Sequence, residues 1–399
     1  MNGPLIRKLY SLVALLACTL RLAAIPATLS NEARISLLTC SPTDEAVFTV
    51  YGHTAIRVAD PAAPDGALDL VFNYGIFDFS QGDFIYRFTK GETDYKLGIT
   101  PFANFLPAYS HSGAGVTEQI LNLTADEKDR LWKALLLNAR PENATYRYNF
   151  FFDNCATRPV QLIEQSVDGH ITYHRPPEQK TFRQQINHCM RHQPWLIFGC
   201  QIALGKPTDR IPTAREEFFL PLILEKAFDE ATITTPDGQE RPLVAEHRTL
   251  LDAHPQPAPV TRFTPLAATL LCLALTLLIT CYEWKKKTRY AAFDSLLFAV
   301  AGLSGTIIYY LAFVSEHPST WPNYLIFALH PFHLAGAIIT PVKKTAKAAY
   351  YYHFINFAAL TLMLMTWPLI PQHLHIALLP LIASLWTRSG RYISSKRKQ

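Results

Sequence analysis

The stretches without charge after residue 262 limit this chain more than any other feature. Residues 263–282 run for 20 positions without Asp, Glu, Lys or Arg, and residues 295–315 for 21. A third such stretch covers 321–342, and residues 348–387 form a 40-residue uncharged run interrupted by Pro368, Pro371 and Gln372. A hydrocarbon core about 30 Å thick takes about 20 apolar helical residues to cross. The expectation is an all-α membrane domain over 263–399 with five helices, the last two at 349–370 and, shorter, near 372–387. Basic residues fall in alternate loops: Lys285, Lys286, Lys287 and Arg289, then Lys343, Lys344 and Lys347, then a tail with Arg388, Arg391, Lys396, Arg397 and Lys398. The intervening loops hold no Lys or Arg. Basic loops stay in the cytoplasm. The C-terminus is therefore expected there, and residues 28–262 on the periplasmic side of the inner membrane.

The chain start reads as a targeting segment, residues 1–27. Arg7 and Lys8 precede an apolar run over 9–20, too short to span comfortably, and cleavage near Ala24 or Ala27 or retention as a short anchor both fit. Cys18, after Leu15-Leu16-Ala17, has a faint lipobox setting and is read as part of the apolar run. Residues 28–251 then form the exported domain, and the Pro- and Ala-rich residues 252–262 a linker. The net charge of +5 is uneven: from Glu283 onward 12 Lys or Arg face 3 Asp or Glu, leaving 25 against 29 before it. A mildly acidic exported part offers no nucleic-acid surface. Four of the seven cysteines, Cys40, Cys155, Cys189 and Cys200, lie in that part. They show no CxxC or other metal-ligand spacing, so no metal and no cofactor is expected. A Cys189–Cys200 pairing stays open.

Within the exported domain the chemistry points to Tyr146-Arg147-Tyr148-Asn149-Phe150-Phe151-Phe152-Asp153-Asn154-Cys155-Ala156-Thr157-Arg158-Pro159. An aromatic run of strand character ends in Asp-Asn, and a helical segment follows the cysteine. A thiol at a helix N-terminus has backbone N–H groups and the positive dipole end beside it, which favour thiolate and can hold an oxyanion. A base is also needed, and His53 in Tyr51-Gly52-His53-Thr54-Ala55-Ile56-Arg57-Val58 is the best candidate. Residues 33–40, 47–58 and 68–75 read as strands, with a turn at 61–66 closing a hairpin between the last two. Thr124 and Glu127 form a capping box ahead of an apolar helical face at Leu131, Trp132 and Leu135. The aromatic residues between Gly75 and Gly91 pack as a loop or line an apolar groove.

Two resemblances follow from these residues. His53 on a strand, a polar residue on the next strand and Asn154-Cys155 at a later helix start resemble the permuted papain-like fold of the NlpC/P60 and lecithin:retinol acyltransferase group. The whole chain resembles the Lnb-type bacterial lipoprotein N-acyltransferases, through Leu37-Leu38-Thr39-Cys40, the His53 segment, Phe72-Asn73-Tyr74-Gly75-Ile76-Phe77-Asp78-Phe79, the Cys155 segment and Glu216-Glu217-Phe218-Phe219-Leu220-Pro221. The resemblance implies an α+β periplasmic domain of permuted papain-like fold, with Cys155 as nucleophile, His53 as base and Asn73 as its orienting partner. Asp153 and Asn154 compete for the orienting role. Arg57 and Arg158 suit a phosphate or a structural ion pair. The implied reaction moves an acyl chain from a membrane phospholipid, through a Cys155 thioester, to the α-amine of a lipoprotein's diacylglyceryl-cysteine. The partners are then the phospholipid donor, the lipoprotein acceptor and the bilayer.

A membrane-anchored cysteine peptidase or amidase of the same fold would have no need of five membrane helices. A phospholipase would send the same thioester to water. A non-catalytic binding module would tolerate loss of Cys155 and His53. His330, His333, His353, His373 and His375 are expected near the ends of the membrane helices, at the interface.

Overall fold

The computed structural model describes residues 25–63, 67–77, 82–174, 177–254 and 261–396. The targeting segment with Arg7, Lys8, Cys18 and Ala24, the tip of the 61–66 turn, Asp78 and Phe79, most of the linker, and Arg397 and Lys398 lie outside the described residues.

Among the described residues ten strands are present: β1 Arg34–Cys40, β2 His53–Asp60, β3 Leu68–Ile76, β4 Asp94–Pro101, β5 Val116–Leu121, β6 Thr145–Arg147, β7 His170–Thr172, β8 Thr232–Thr234, β9 Glu240–Pro242 and β10 Val244–Leu251. Seven form one antiparallel sheet in the order β10-β5-β1-β2-β3-β4-β6, and β7, β8 and β9 form a small second one. The expected hairpin is there, with Ile56 opposite Phe72. Among the described residues seven α-helices accompany the sheets: α1 Phe84–Lys90, α2 Phe102–Ser110, α3 Ala125–Asn138, α4 Thr157–Ser166, α5 Phe182–Cys189, α6 Pro194–Ala203 and α7 Pro221–Asp229.

Side chains alternate between the faces of a strand, and both faces of this sheet are covered. Ile35, Leu37, Ile56, Val58 and Phe72 face Leu131, Trp132 and Leu135 of α3 and Val160 and Ile163 of α4. Leu38, Cys40, Ala55 and Val71 face the other way, against Phe105 of α2. Double coverage explains why β1 is an almost unbroken buried run. The Thr124–Glu127 capping box forms as expected. Buried Glu127 also accepts the Asp168 N–H and pairs with Arg241, so the cap ties α3 to the small sheet.

Among the described residues the C-terminal part has five α-helices: α8 Pro265–Lys286, α9 Ala291–Phe313, α10 Phe332–Ile339, α11 Ala346–Met365 and α12 Leu378–Lys396. Among the described residues, α8 and α9 are long and apolar enough to cross a membrane. The expected span at 321–342 is not one helix. It breaks into a 3-10 turn, Tyr324–Phe327, and the eight residues of α10, only about 12 Å long. Pro322 and Pro331 supply the interruption, since proline has no N–H to continue the ladder.

The last segment also differs from expectation. It starts at Leu378 rather than near Gln372, and it continues through the basic tail. Arg388, read as part of a solvated tail, has a side chain 0% exposed, and pairs with Glu283 at 2.7 Å and with Asp294. Arg391 faces Glu283 at 3.1 Å. Buried charge is tolerated only when paired, and here α8, α9 and α12 supply the pairs.

Two of the histidines correct the interfacial expectation. His333 lies inside the bundle, with Tyr352 Oη at 2.6 Å and the Ala328 carbonyl at 2.9 Å. His353 is equally buried, between Thr340 and Ser389.

The N-terminal domain is fastened to this bundle by backbone groups. Gly205 N–H donates to Ser319 O and Lys206 N–H to Pro322 O, both at 2.8 Å. Asn323 Nδ2 reaches Ile202 O at 2.8 Å and Gln372 Nε2 reaches Leu204 O at 3.1 Å. Any Cβ on Gly205 would stand 2.4 Å from Pro322 O, so the approach requires glycine.

Candidate active site

The antiparallel pairing of β1, β2 and β3 sets one end of the sheet. His53 is the first residue of β2, entered through Gly52 at φ 79°, where a Cβ would strike Cys40 O. Asn73 stands on β3, and its Oδ1 lies 3.3 Å from His53 Nε2. With Oδ1 as acceptor, Nε2 carries the proton and Nδ1 keeps its lone pair.

Cys155 arrives from the other side. The strand β6 stops at Arg147, and the aromatic run after it is a tight turn rather than more strand. Asn149 and Asp153 exchange backbone hydrogen bonds of 3.0 and 2.9 Å, and Asn149 Oδ1 accepts the Phe151 N–H at 3.1 Å. The turn delivers Cys155 two residues before α4. The backbone N–H of Thr54, the residue after His53, and that of Cys155 itself lie near enough to the Cys155 sulfur to lower its pKa. Gly75, at φ 91° on β3, leaves room there: a Cβ on it would lie 3.7 Å from Cys155 Cβ. The structure therefore sets Cys155 beside Thr54 and Gly75, on the two strands that carry the hydrogen-bonded His53 and Asn73, and Cys155 and His53 each keep a partly open edge.

The other expected site residues have partners within the fold. Asn154 is fully engaged as a cap. Its Oδ1 accepts the N–H groups of Ala156 and Thr157 at 2.9 Å, and its Nδ2 donates to Phe150 O and Phe219 O. Those helix-end amides are thus occupied, and the amides left beside the sulfur belong to Thr54 and Cys155. Asp153 holds Arg158 through two contacts of 2.5 and 2.8 Å, and that guanidinium lies over the Tyr146 ring. Arg57 is bound by Asp69 through Nε and Nη2 and by Glu118 through Nη1. Substituting Asn154→Ala is expected to cost about 1–3 kcal/mol, because a cap is lost and two carbonyls lose their donor. Chemical denaturation of the detergent-solubilised protein checks this.

Sequence reasoning did not reach two neighbours of the site. Tyr109 of α2 stacks on His53, rings 6.4 Å apart, and its hydroxyl hydrogen-bonds the Cys40 sulfur. Cys40 is the cross-strand partner of His53. Only the register of β1 against β2 reveals that adjacency. Cys189 and Cys200 are both free thiols. Among the described residues, no group of three His, Cys, Asp or Glu side chains could hold a metal ion.

Burial sets the resting charges. It lowers the His53 pKa below the ordinary imidazole value, and the Asn73 hydrogen bond opposes that only in part. It pushes the Cys155 thiol up to about 11, against the pull of the Thr54 and Cys155 N–H groups. Both directions favour a neutral thiol and a neutral imidazole at rest, the charge states from which a nucleophile and a general base start. Acylation of Cys155 should then fall as pH drops through a pKa below 6.5, where His53 takes a proton, and stay level above it. Asn73→Ala removes an interaction that favours the protonated ring, so it should move that inflection lower still. Single-turnover acylation across pH checks both, and an inflection above pH 7 would contradict the assignment.

Residues 27–187 match the family model described as the Lnb N-terminal periplasmic domain, and residues 257–399 the one described as the Lnb transmembrane domain. No curated protein and no solved structure matches the chain.

Proposed function

The chain belongs to the Lnb family, a membrane acyltransferase family with a periplasmic domain, and on that premise we propose that it N-acylates lipoproteins from a phospholipid donor through Cys155. His53 Nδ1 takes the thiol proton as the sulfur attacks an ester carbonyl of the phospholipid. The Thr54 and Cys155 amides lie where they can steady the tetrahedral oxyanion. His53 returns the proton to the departing alkoxide, lysophospholipid leaves, and a thioester remains. The α-amine of a diacylglyceryl-cysteine then attacks the thioester carbonyl, loses a proton to His53, and an amide forms as the thiol is restored.

The observation that carries this reading is the placing of Cys155 beside the strands that carry His53 and Asn73, on a domain fastened to the membrane bundle. Both substrates are lipids of the same leaflet, and such a site meets them without extracting either into water. The proposal places the domain over 28–251 on the periplasmic face of the inner membrane and the C-terminus in the cytoplasm, with the bundle counted as five segments of which α10 is a broken one. The permuted papain-like reading is supported by the order strand His, next-strand Asn, later helix-start Cys.

The test is intact-mass spectrometry of the purified protein after incubation with a defined phospholipid and no acceptor. One added acyl chain, removed by hydroxylamine at neutral pH, is the expected result. A chain that is released as free fatty acid at the same rate with and without a diacylated lipopeptide would indicate transfer to water instead.

A further inference from the structure

Helix α1 is anomalous for a soluble domain. None of its residues is buried, and Ile85, Tyr86 and Phe88 are 79%, 61% and 47% exposed. Its basic residues, Arg87 and Lys90, turn to Glu92 and Asp94 of the domain. An amphipathic helix with an uncovered aromatic face is the form taken by elements that lie in a membrane interface.

The position of α1 identifies its occupant. It is fixed to the end of α9. Glu316 N–H donates to Lys90 O at 2.8 Å, His317 Nε2 lies 2.7 Å from Phe88 O, and Arg147 pairs with Glu316 at 2.6 Å. Gly91 closes α1 at φ 89°, and a Cβ on it would stand 3.0 Å from Glu316, so only glycine permits both the cap and the approach. Tyr86 faces Tyr310 of α9. The exposed apolar surface of that membrane helix, Ile307 and Phe313, therefore continues into Ile85 and Tyr86.

From α1 the rings lead inward. Phe84 lies 5.9 Å from Phe77, Phe77 5.0 Å from Tyr95, and Tyr95 4.6 Å from Tyr148. The Tyr148 ring comes within 3.3 Å of the point where a Gly75 Cβ would stand, and Cys155 Cβ is 3.7 Å from the same point. The cleft between Phe77, Phe84, Phe88 and Tyr95 is about 30 Å³ and is lined also by the ion-paired Arg87, Glu92 and Asp94, so the rings must part as a chain enters.

We propose that α1 lies in the leaflet facing the periplasm and that the Phe84–Phe77–Tyr95–Tyr148 track conducts the fatty chain of the acyl donor from the bilayer to Cys155. This rests on the phospholipid-donor reading above. The rings suit a fatty chain because they offer apolar contact, and the charged groups beside them, Arg87 with Glu92 and Asp94, are satisfied by one another.

The test compares two acyl donors on the full-length protein in phosphatidylcholine vesicles. Ile85→Asp puts a carboxylate at the most exposed apolar position of α1. Acylation of Cys155 by the vesicle phospholipid should fall at least about tenfold, since a charge is expelled from the hydrocarbon. Acylation by a short-chain, water-soluble p-nitrophenyl ester should match wild type. Equal phospholipid rates in variant and wild type would overturn the proposal.

A second variant covers an Ile85→Asp protein that loses both reactions. Ile85→Trp in vesicles with brominated acyl chains should show additional quenched tryptophan emission relative to wild type, and an unquenched added signal would overturn the placement. Wild-type protein that reacts with the soluble ester and never with phospholipid would defeat the donor reading instead, while the quenching result would still decide where α1 lies.

Discussion

Cys155→Ala protein is expected to form no acyl-enzyme with any donor, and lipoproteins in cells dependent on it should stay diacylated. The sulfur is the nucleophile beside the Thr54 and Cys155 amides, and alanine leaves nothing in its place to hold a chain. His53→Ala should behave differently. The thiol remains, but its pKa is pushed up to about 11 by burial, so little thiolate forms at neutral pH without a base. Loss of general-base help is expected to slow acylation about 10²–10⁴-fold, with partial recovery as pH is raised toward the thiol's own range. That recovery separates a missing base from a damaged fold, which alkali would not restore. Hydroxylamine-sensitive acyl-enzyme, followed by intact mass against time, reads both variants.

The second large effect concerns stability. Arg388→Ala should destabilise the bundle by about 3 kcal/mol, because Glu283 and Asp294 lose their shortest ion-pair contacts and keep as cation partners only Arg391 at 3.1 Å and Arg289 at 3.5 Å. Both Glu283 and Asp294 lose their contact with Arg388, and their side chains are 0% and 2% exposed. Arg388→Met combined with Asp294→Asn removes one charge of each sign, leaves Arg391 opposite Glu283, and leaves the part-exposed Arg289 with the Thr340 carbonyl. That pair of substitutions should recover most of the loss. Thermal unfolding in detergent measures it. A single variant as stable as the parent would mean that Arg388 is not closed into the bundle.

Several features were legible in the sequence because they are local. The Thr124–Glu127 box and the Leu131, Trp132, Leu135 stripe specify α3 within 14 residues. The hairpin of β2 and β3 needed only alternating apolar residues and a turn. The membrane part was legible through missing charge, yet composition does not count hydrogen bonds. Pro322 and Pro331 marked the break before α10, and an apolar window averages over them.

What was illegible lies in long-range partners. Arg388 reads as a tail residue until Glu283 and Asp294, 105 and 94 positions earlier, are seen to converge on it. Arg57 suits a phosphate or an ion pair alike until Asp69 and Glu118 close on it from β3 and β5. At the site, residue types pointed to Cys155 and His53, and strand order to Asn73. The Thr54 amide and Tyr109 carry no sequence signal, because a backbone group and a stacking ring are defined by where the chain passes.

The central claim is transfer of an acyl chain to a lipoprotein amine through Cys155. Mass spectrometry of a lipoprotein N-terminus tests it most directly, in cells depleted of their own N-acyltransferase and carrying either this protein or Cys155→Ala. The account predicts one additional acyl chain on the α-amine with the parent protein and none with the variant. A diacylated, free-amine terminus in cells that express the parent protein well would contradict it.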